Sequence, residues 1–345
     1  MKGARGFMLA EVLVSTVITL AVLAVAASTF HHAQRMDETA TLTADAVQNL
    51  RAGINLVARD LVQAGRGIPT GGIPIPSGAG VQPLYRPGPA ESYTFDNVTA
   101  TTLPVLIPGP AMGPVIDGRP TDMISILVAD AILPTLTVNS TPPVAGQATL
   151  SDDGASLDVG DTVEWMTDVG MGVSIGDLIM FTNALGNAIQ TVTAITNGSV
   201  VEFGANDVFN FNQRTAPQGS IVQIRSAGSF PQTTAQRVLL LTYYVDNVTT
   251  PDVPRLVRRV NAQPAQALAG VVEDLEFSYD LVDGITNPSD LKAPVFPNTA
   301  NQIRKVNLHI GVRSDRRSSL RQDYMRHHLS TVISIRSLAF VNRYL

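Results

Sequence analysis

The stretch Phe7-Met8-Leu9-Ala10-Glu11-Val12-Leu13-Val14-Ser15-Thr16-Val17-Ile18-Thr19-Leu20-Ala21-Val22-Leu23-Ala24-Val25-Ala26-Ala27 decides how the rest of the chain is read. It is apolar apart from one charge, Glu11, and three hydroxyls, Ser15, Thr16 and Thr19. About 20 apolar residues cross the hydrocarbon core of a bilayer as a helix. Lys2 and Arg5 precede the stretch, and the next Lys or Arg is Arg35. The positive-inside rule therefore puts the N-terminus in the cytoplasm and everything after about residue 28 across the membrane.

The residues that follow continue the helix with a different pattern. Leu42, Ala46, Leu50, Ile54, Val57 and Leu61 recur at spacings of three and four and form one apolar stripe, while Asp45, Asn49, Arg51, Asn55 and Arg59 fall off it. No proline occurs before Pro69, and Gly65, Gly67 and Pro69 stop the pattern. A helix over 7–64 would be ~87 Å long. Its first half, 7–27, is apolar all round and its second half is one-sided.

Three readings of the N-terminus compete. It is a plain signal anchor, a secretory signal cut after the small-x-small run Ala24-Val25-Ala26, or a short basic leader, residues 1–6, cut on the cytoplasmic side with the apolar stretch retained. Glu11 bears on the choice, because a carboxylate in a spanning segment is costly unless it has a partner. Cutting after Gly6 would free a positive amine on Phe7, and the same amine on a neighbouring copy would offer Glu11 an opposite charge.

The string Gly6-Phe7-Met8-Leu9-Ala10-Glu11-Val12-Leu13-Val14 resembles the cleavage and methylation motif of the type IV prepilin family, with Ala10 in place of a commoner Ile or Val. The resemblance implies cleavage after Gly6, N-methylation of Phe7 and an assembly role for Glu11. A second resemblance lies near the C-terminus. Thr242-Tyr243-Tyr244-Val245, Arg255-Leu256-Val257-Arg258, the run 268–279 and Gly311-Val312-Arg313-Ser314 are similar to successive elements of PilW-type minor pilins and of J-type minor pseudopilins of type II secretion. Ala58-Arg59-Asp60-Leu61 with Ala64-Gly65 resembles the end of their long helix. Together these cover roughly 1–67 and 236–345.

The remainder reads as β. Residues 65–90 hold seven Gly and six Pro and form an irregular connection. Strand patterns follow at 123–128, 177–181, 189–195, 199–203 (a hairpin with 189–195 around Asn197-Gly198), 221–225, 238–245, 255–260, 274–279, 306–313 and 331–341. The fold class expected is α+β: a long N-terminal helix packed on a mainly antiparallel sheet head, with a large β-rich insertion. The division expected is a leader 1–6, a helix 7–64, an insertion with Pro/Gly loops 65–235 and a C-terminal sheet region 236–345. Leu50, Ile54, Val57 and Leu61 should meet Leu275, Phe277 and Val306. Residues 68–235 should lie outside that core, so that removing 173–203, read as a small barrel or as extra hairpins, would leave the fold intact.

Composition excludes several function classes. The chain has no cysteine, which removes disulfides, thiolate metal sites and a cysteine nucleophile. Apolar residues at 45% against 15% charged exclude a disordered chain. A hydrolase elbow, a Walker loop and an HExxH helix are absent. The histidines occur as His31-His32, His309 and His327-His328, and adjacent pairs do not share a metal without help. Asp152, Asp153, Asp158 and Asp161 crowd one loop and are a weak Ca²⁺ candidate, but their spacing is not that of an EF-hand. Neither a cofactor nor a metal is expected.

Charge is segregated. Residues 304–345 carry +7 and the rest −12, which together make the chain's −5. Arg313, Arg316, Arg317 and Arg321 are candidates for docking on a neighbouring subunit; a nucleic-acid role is disfavoured, since Tyr324 is the one aromatic residue among these arginines. The function expected is that of a structural, non-enzymatic minor pilin in the tip or initiation complex of a type IV pilus. The alternatives are a minor pseudopilin of type II secretion, or a periplasmic or secreted binding domain behind an ordinary signal peptide. The partners implied are other minor pilins and the major pilin, a prepilin peptidase and the inner-membrane assembly platform. The localisation implied is a single pass in a bacterial inner membrane with the N-terminus cytoplasmic, then a surface pilus or periplasmic pseudopilus.

Overall fold

An uninterrupted, proline-free helical pattern becomes one helix, Leu9–Gln63, in the computed structural model, ~82 Å long at ~1.5 Å per residue. The structure describes residues 9–89, 94–95, 100–139, 146–166 and 172–340. From Leu9 to Asp37 every residue of the helix is exposed; from Leu42 onward Leu42, Ala46, Leu50, Gly53, Ile54, Val57, Asp60 and Leu61 are buried. The stripe read from the sequence is the buried face. Burying each large side chain on it contributes about 1.5–3 kcal/mol.

The helix ends by binding the sheet. Gly65 sits at φ +78°, and its N–H donates to the Leu127 carbonyl at 2.8 Å. A Cβ there would stand 2.6 Å from Ser337 Oγ and 3.0 Å from Val105 Cγ1, so the position requires glycine both for its backbone and for its neighbours.

The rest is mostly antiparallel sheet. The central strand, Thr233–Asp246, alternates buried and half-buried at its start and is buried on both faces from Leu240 to Val245. Its first part pairs with Leu178–Asn183 and Leu136–Asn139; its second part pairs with Met123–Ala129 and Arg255–Val260. These belong to one twelve-stranded sheet, in which Leu136–Asn139 and Ala148–Leu150 run parallel and the other pairs antiparallel. A separate three-stranded antiparallel sheet joins Val272–Leu281, Ile303–Arg313 and Arg326–Ser334. Its strands alternate, with Leu275, Phe277, Val306, Leu308 and Ile310 inward and Asp274, Glu276 and His309 outward.

One core cluster gathers Leu50, Ile54, Val57 and Leu61 of the helix with Leu275, Phe277 and Val306, the set expected from the sequence, and adds Leu308 and Ile310. It also contains Val105, Leu106, Ile124, Ile126 and Val128. The peripheral placement expected for 68–235 therefore fails for this part: Met123–Ala129 is a fully buried strand at the heart of the sheet. The expected division at 235/236 falls inside the central strand. A second cluster built from Leu136, Trp165, Phe181, Phe203 and Phe230 fills the segment from 133 to 235.

Local differences have local causes. The expected strand at 221–225 is a 3₁₀ turn, Ile221–Ile224, because burying both isoleucines at i and i+3 suits a three-residue turn. The expected strand at 331–341 begins earlier, as Arg326–Ser334, and gives way to a 3₁₀ turn, Ser337–Phe340. Asn197 and Gly198 both take positive φ and turn a hairpin, but its arms are only Ala194–Thr196 and Val200–Glu202. The preceding Gly186–Thr191 pairs instead with Leu178–Asn183.

Candidate functional site

The candidate surfaces are the exposed arm of the helix and the basic corner where the head meets it. In the arm, Ser15 and Thr16 donate to the Val12 carbonyl at 2.9 and 2.7 Å, and Thr19 donates to the Ser15 carbonyl at 2.8 Å. The hydroxyls are satisfied within the helix, so its outer face stays apolar. Leu13, Val17, Leu20, Val22, Leu23 and Val25 are each more than half exposed. This is the one helix among the described residues that is long and apolar enough to cross a membrane; a signal sequence has the same character. Glu11 lies in its first turn on the exposed arm. Gly6 and Phe7 lie outside the described residues.

The basic corner is formed by the connection between Ile303–Arg313 and Arg326–Ser334, which folds against the helix where the arm leaves the head. Ser319 Oγ donates to Glu38, and Thr39 Oγ1 and Ser318 Oγ are 2.7 Å apart. Arg316 stands 3.9 Å from Glu38. The four expected docking arginines separate into two groups. Arg313, with its side chain 12% exposed, donates to Glu273 at 2.8 Å and lies 4.0 Å above the Tyr324 ring, so it is engaged inside the head. Arg316, Arg317 and Arg321 are exposed. Arg317 and Arg326 also approach the Tyr324 ring, and Arg326 pairs with Glu273 at 2.8 Å.

The acidic loop is used internally. Asp153 accepts from Ser151 Oγ and the Ala155 N–H and pairs with Arg214 at 3.4 Å. Partial burial pushes its carboxyl upward, but these hydrogen bonds and Arg214 together hold it below the ordinary range. Asp158 accepts from the Gly160 N–H at 3.1 Å. Asp152, Asp153, Asp158 and Asp161 do not bring three ligand atoms within 4.8 Å of one another.

Sequence reasoning did not single out the buried joint under the helix. Asp60 is 4% exposed and accepts from the Tyr243 hydroxyl at 2.6 Å and from Arg258 Nε at 2.8 Å. Burial, then Asp60, push the Tyr243 hydroxyl far above its ordinary value, so it stays a proton donor. The signal available was Asp60 on the apolar stripe, one residue before Leu61. A carboxylate on a buried face calls for a partner. A second buried joint, Arg237 with Asp130 at 2.6 Å and Asp177 at 3.4 Å, ties the central strand to the connections that precede its neighbouring strands.

Comparison with models of known protein families, with characterised proteins and with solved structures finds no match.

Proposed function

We propose that the chain is a structural, non-enzymatic minor subunit of a type IV filament system, PilW-like, held in a membrane and then in a filament or its tip by the helical arm. The observation that carries this reading is the two-part helix. An exposed apolar arm continues without a break into a buried stripe, so a force on the arm passes directly into the head. A free-standing apolar arm is unfavourable in water and calls for lipid or neighbouring arms around it. A minor pseudopilin of type II secretion has the same requirements and is the second form of this proposal. In either, the arm packs beside the arms of a major pilin and other minor pilins. Glu11 of one subunit faces the Phe7 amine of the next, and the exposed Arg316, Arg317 and Arg321 meet an acidic surface of a neighbouring head. The proposed processing enzyme is a prepilin peptidase, and the proposed site of assembly is a platform in a bacterial inner membrane.

The test is the mature N-terminus of the chain recovered from membranes, read by mass spectrometry. N-methylated Phe7 is expected, and Gly6→Leu should abolish it. A mature chain beginning at Ala27, or one still beginning at Met1, overturns the proposal. Given cleavage, Glu11→Gln should leave the amount of mature protein in the membrane unchanged and reduce its recovery with sheared filaments. Undiminished recovery removes Glu11 from assembly.

A further inference from the structure

The outward face of the three-stranded sheet carries a constellation that neither the arm nor the basic corner uses. The register sets Asp274 opposite Gly311 and Gly311 opposite His328, with His309 two residues back along the middle strand, opposite Ser330. His309 Nε2 stands 3.6 Å from Asp274 Oδ2. The His309 and His328 rings are stacked, with centroids 5.5 Å apart and planes at 11°. One ligand atom from each of the three residues lies within 4.8 Å of the others. Gly311 makes the arrangement possible: a Cβ there would stand 2.6 Å from His328 Nδ1 and 3.0 Å from Asp274 Cβ.

We propose that Asp274, His309 and His328 bind a zinc-class divalent ion. Two imidazoles and a carboxylate, without a thiolate, form a donor set suited to Zn²⁺, Ni²⁺ or Cu²⁺ and unsuited to Ca²⁺ or Mg²⁺, which require oxygen ligands. His309 is oriented for the role. Its Nδ1 lies 2.8 Å from Ser330 Oγ, and with Nδ1–H donating to that hydroxyl the Nε2 lone pair faces Asp274. Beside them, Glu276 is engaged by Lys292 at 2.6 Å and Arg326 by Glu273 at 2.8 Å.

Tetrahedral Zn²⁺ brings its ligand atoms to about 3.3 Å from one another, closer than the 4.8 Å within which these lie, so the site closes by a small inward rotation of the side chains, of which His328 is exposed. Three protein ligands leave a fourth position for water or for a group from another molecule. Each ligand comes from a different strand, so the ion would fasten all three strands of the sheet beneath the helix.

The full chain in detergent, carried on a tag without histidine and stripped with a chelator, is titrated with ZnCl₂ at neutral pH by calorimetry. One Zn²⁺ per chain is expected, with no heat from Mg²⁺ or Ca²⁺. His309→Ala and His328→Ala should each weaken binding about 10-fold or more. His31→Ala and His327→Ala, outside the site, should not. Zn²⁺ should raise the thermal midpoint of the wild type and not that of His328→Ala, whose metal-free midpoint should equal the wild type's. Binding that survives in the His309→Ala/His328→Ala double variant, or no binding by the folded wild-type chain, overturns the proposal.

Discussion

Asp60 shows how a single residue joins the helix to the sheet. It is the carboxylate on the buried stripe, and its two strand partners, Tyr243 and Arg258, come from adjacent paired strands. Arg258 is only 18% exposed, so removing Asp60 would leave a cation with little water around it. Breaking such a pair from one side costs about 3–5 kcal/mol. Asp60→Ala should lower the unfolding free energy of the head by that amount. Tyr243→Phe, which removes one donor and leaves the ion pair, should cost about 0.5–1.5 kcal/mol. Denaturant unfolding of the two variants in detergent is the measurement. Equal losses would mean that packing around Tyr243, and not the charge, governs the joint.

The long helix has two halves that the same kind of substitution should distinguish. Ile54 and Leu61 lie in the core with Leu275, Phe277 and Val306, and truncating either to alanine should cost about 2–5 kcal/mol. Val25 is 66% exposed, and Val25→Ala should move the stability of the head by no more than about 0.5 kcal/mol. Thermal unfolding of the isolated chain reads both. A large loss from Val25→Ala would show that the arm folds back on the head in solution. The half-helix stripe was legible because its period is that of the helix. Less legible was Gly53, where a Cβ would come within 3.2 Å of Ala269 and Leu256 and helix and strands approach closely. That approach is set by residues some two hundred positions away.

For the whole molecule, the insertion is partly core. Leu178 and Met180 lie in one cluster with Val238 and Leu240, and Ile179 and Phe181 lie in another with Phe203 and Ala235. Removing 173–203 would strip one neighbour from the start of the central strand and open both clusters. The deletion variant should therefore fail to unfold cooperatively, as read by circular dichroism and limited proteolysis. A cooperative transition like that of the full chain would restore the reading of this segment as an appendage. The apolar strand patterns at 123–128 and 177–181 named the right residues but not their partners, because a period-2 or continuous apolar run states which face is buried and not against what.

Local sequence pattern was enough for the arm, the stripe beneath the head, the helix stop at Gly65 and most of the longer strands, since each depends on spacing along a few turns or a few residues. It also showed the excess of positive charge in residues 304–345. Long-range packing sets which strands share a sheet, makes the central strand change partners along its length, and engages Arg313 with Glu273 and Tyr324 while Arg316, Arg317 and Arg321 remain exposed. The same holds for His309 and His328, placed side by side with Asp274 by strand register. These depend on contacts between residues far apart in the chain, for which local pattern carries no signal. Which long-range pairings form follows from how the whole set of apolar faces is buried together.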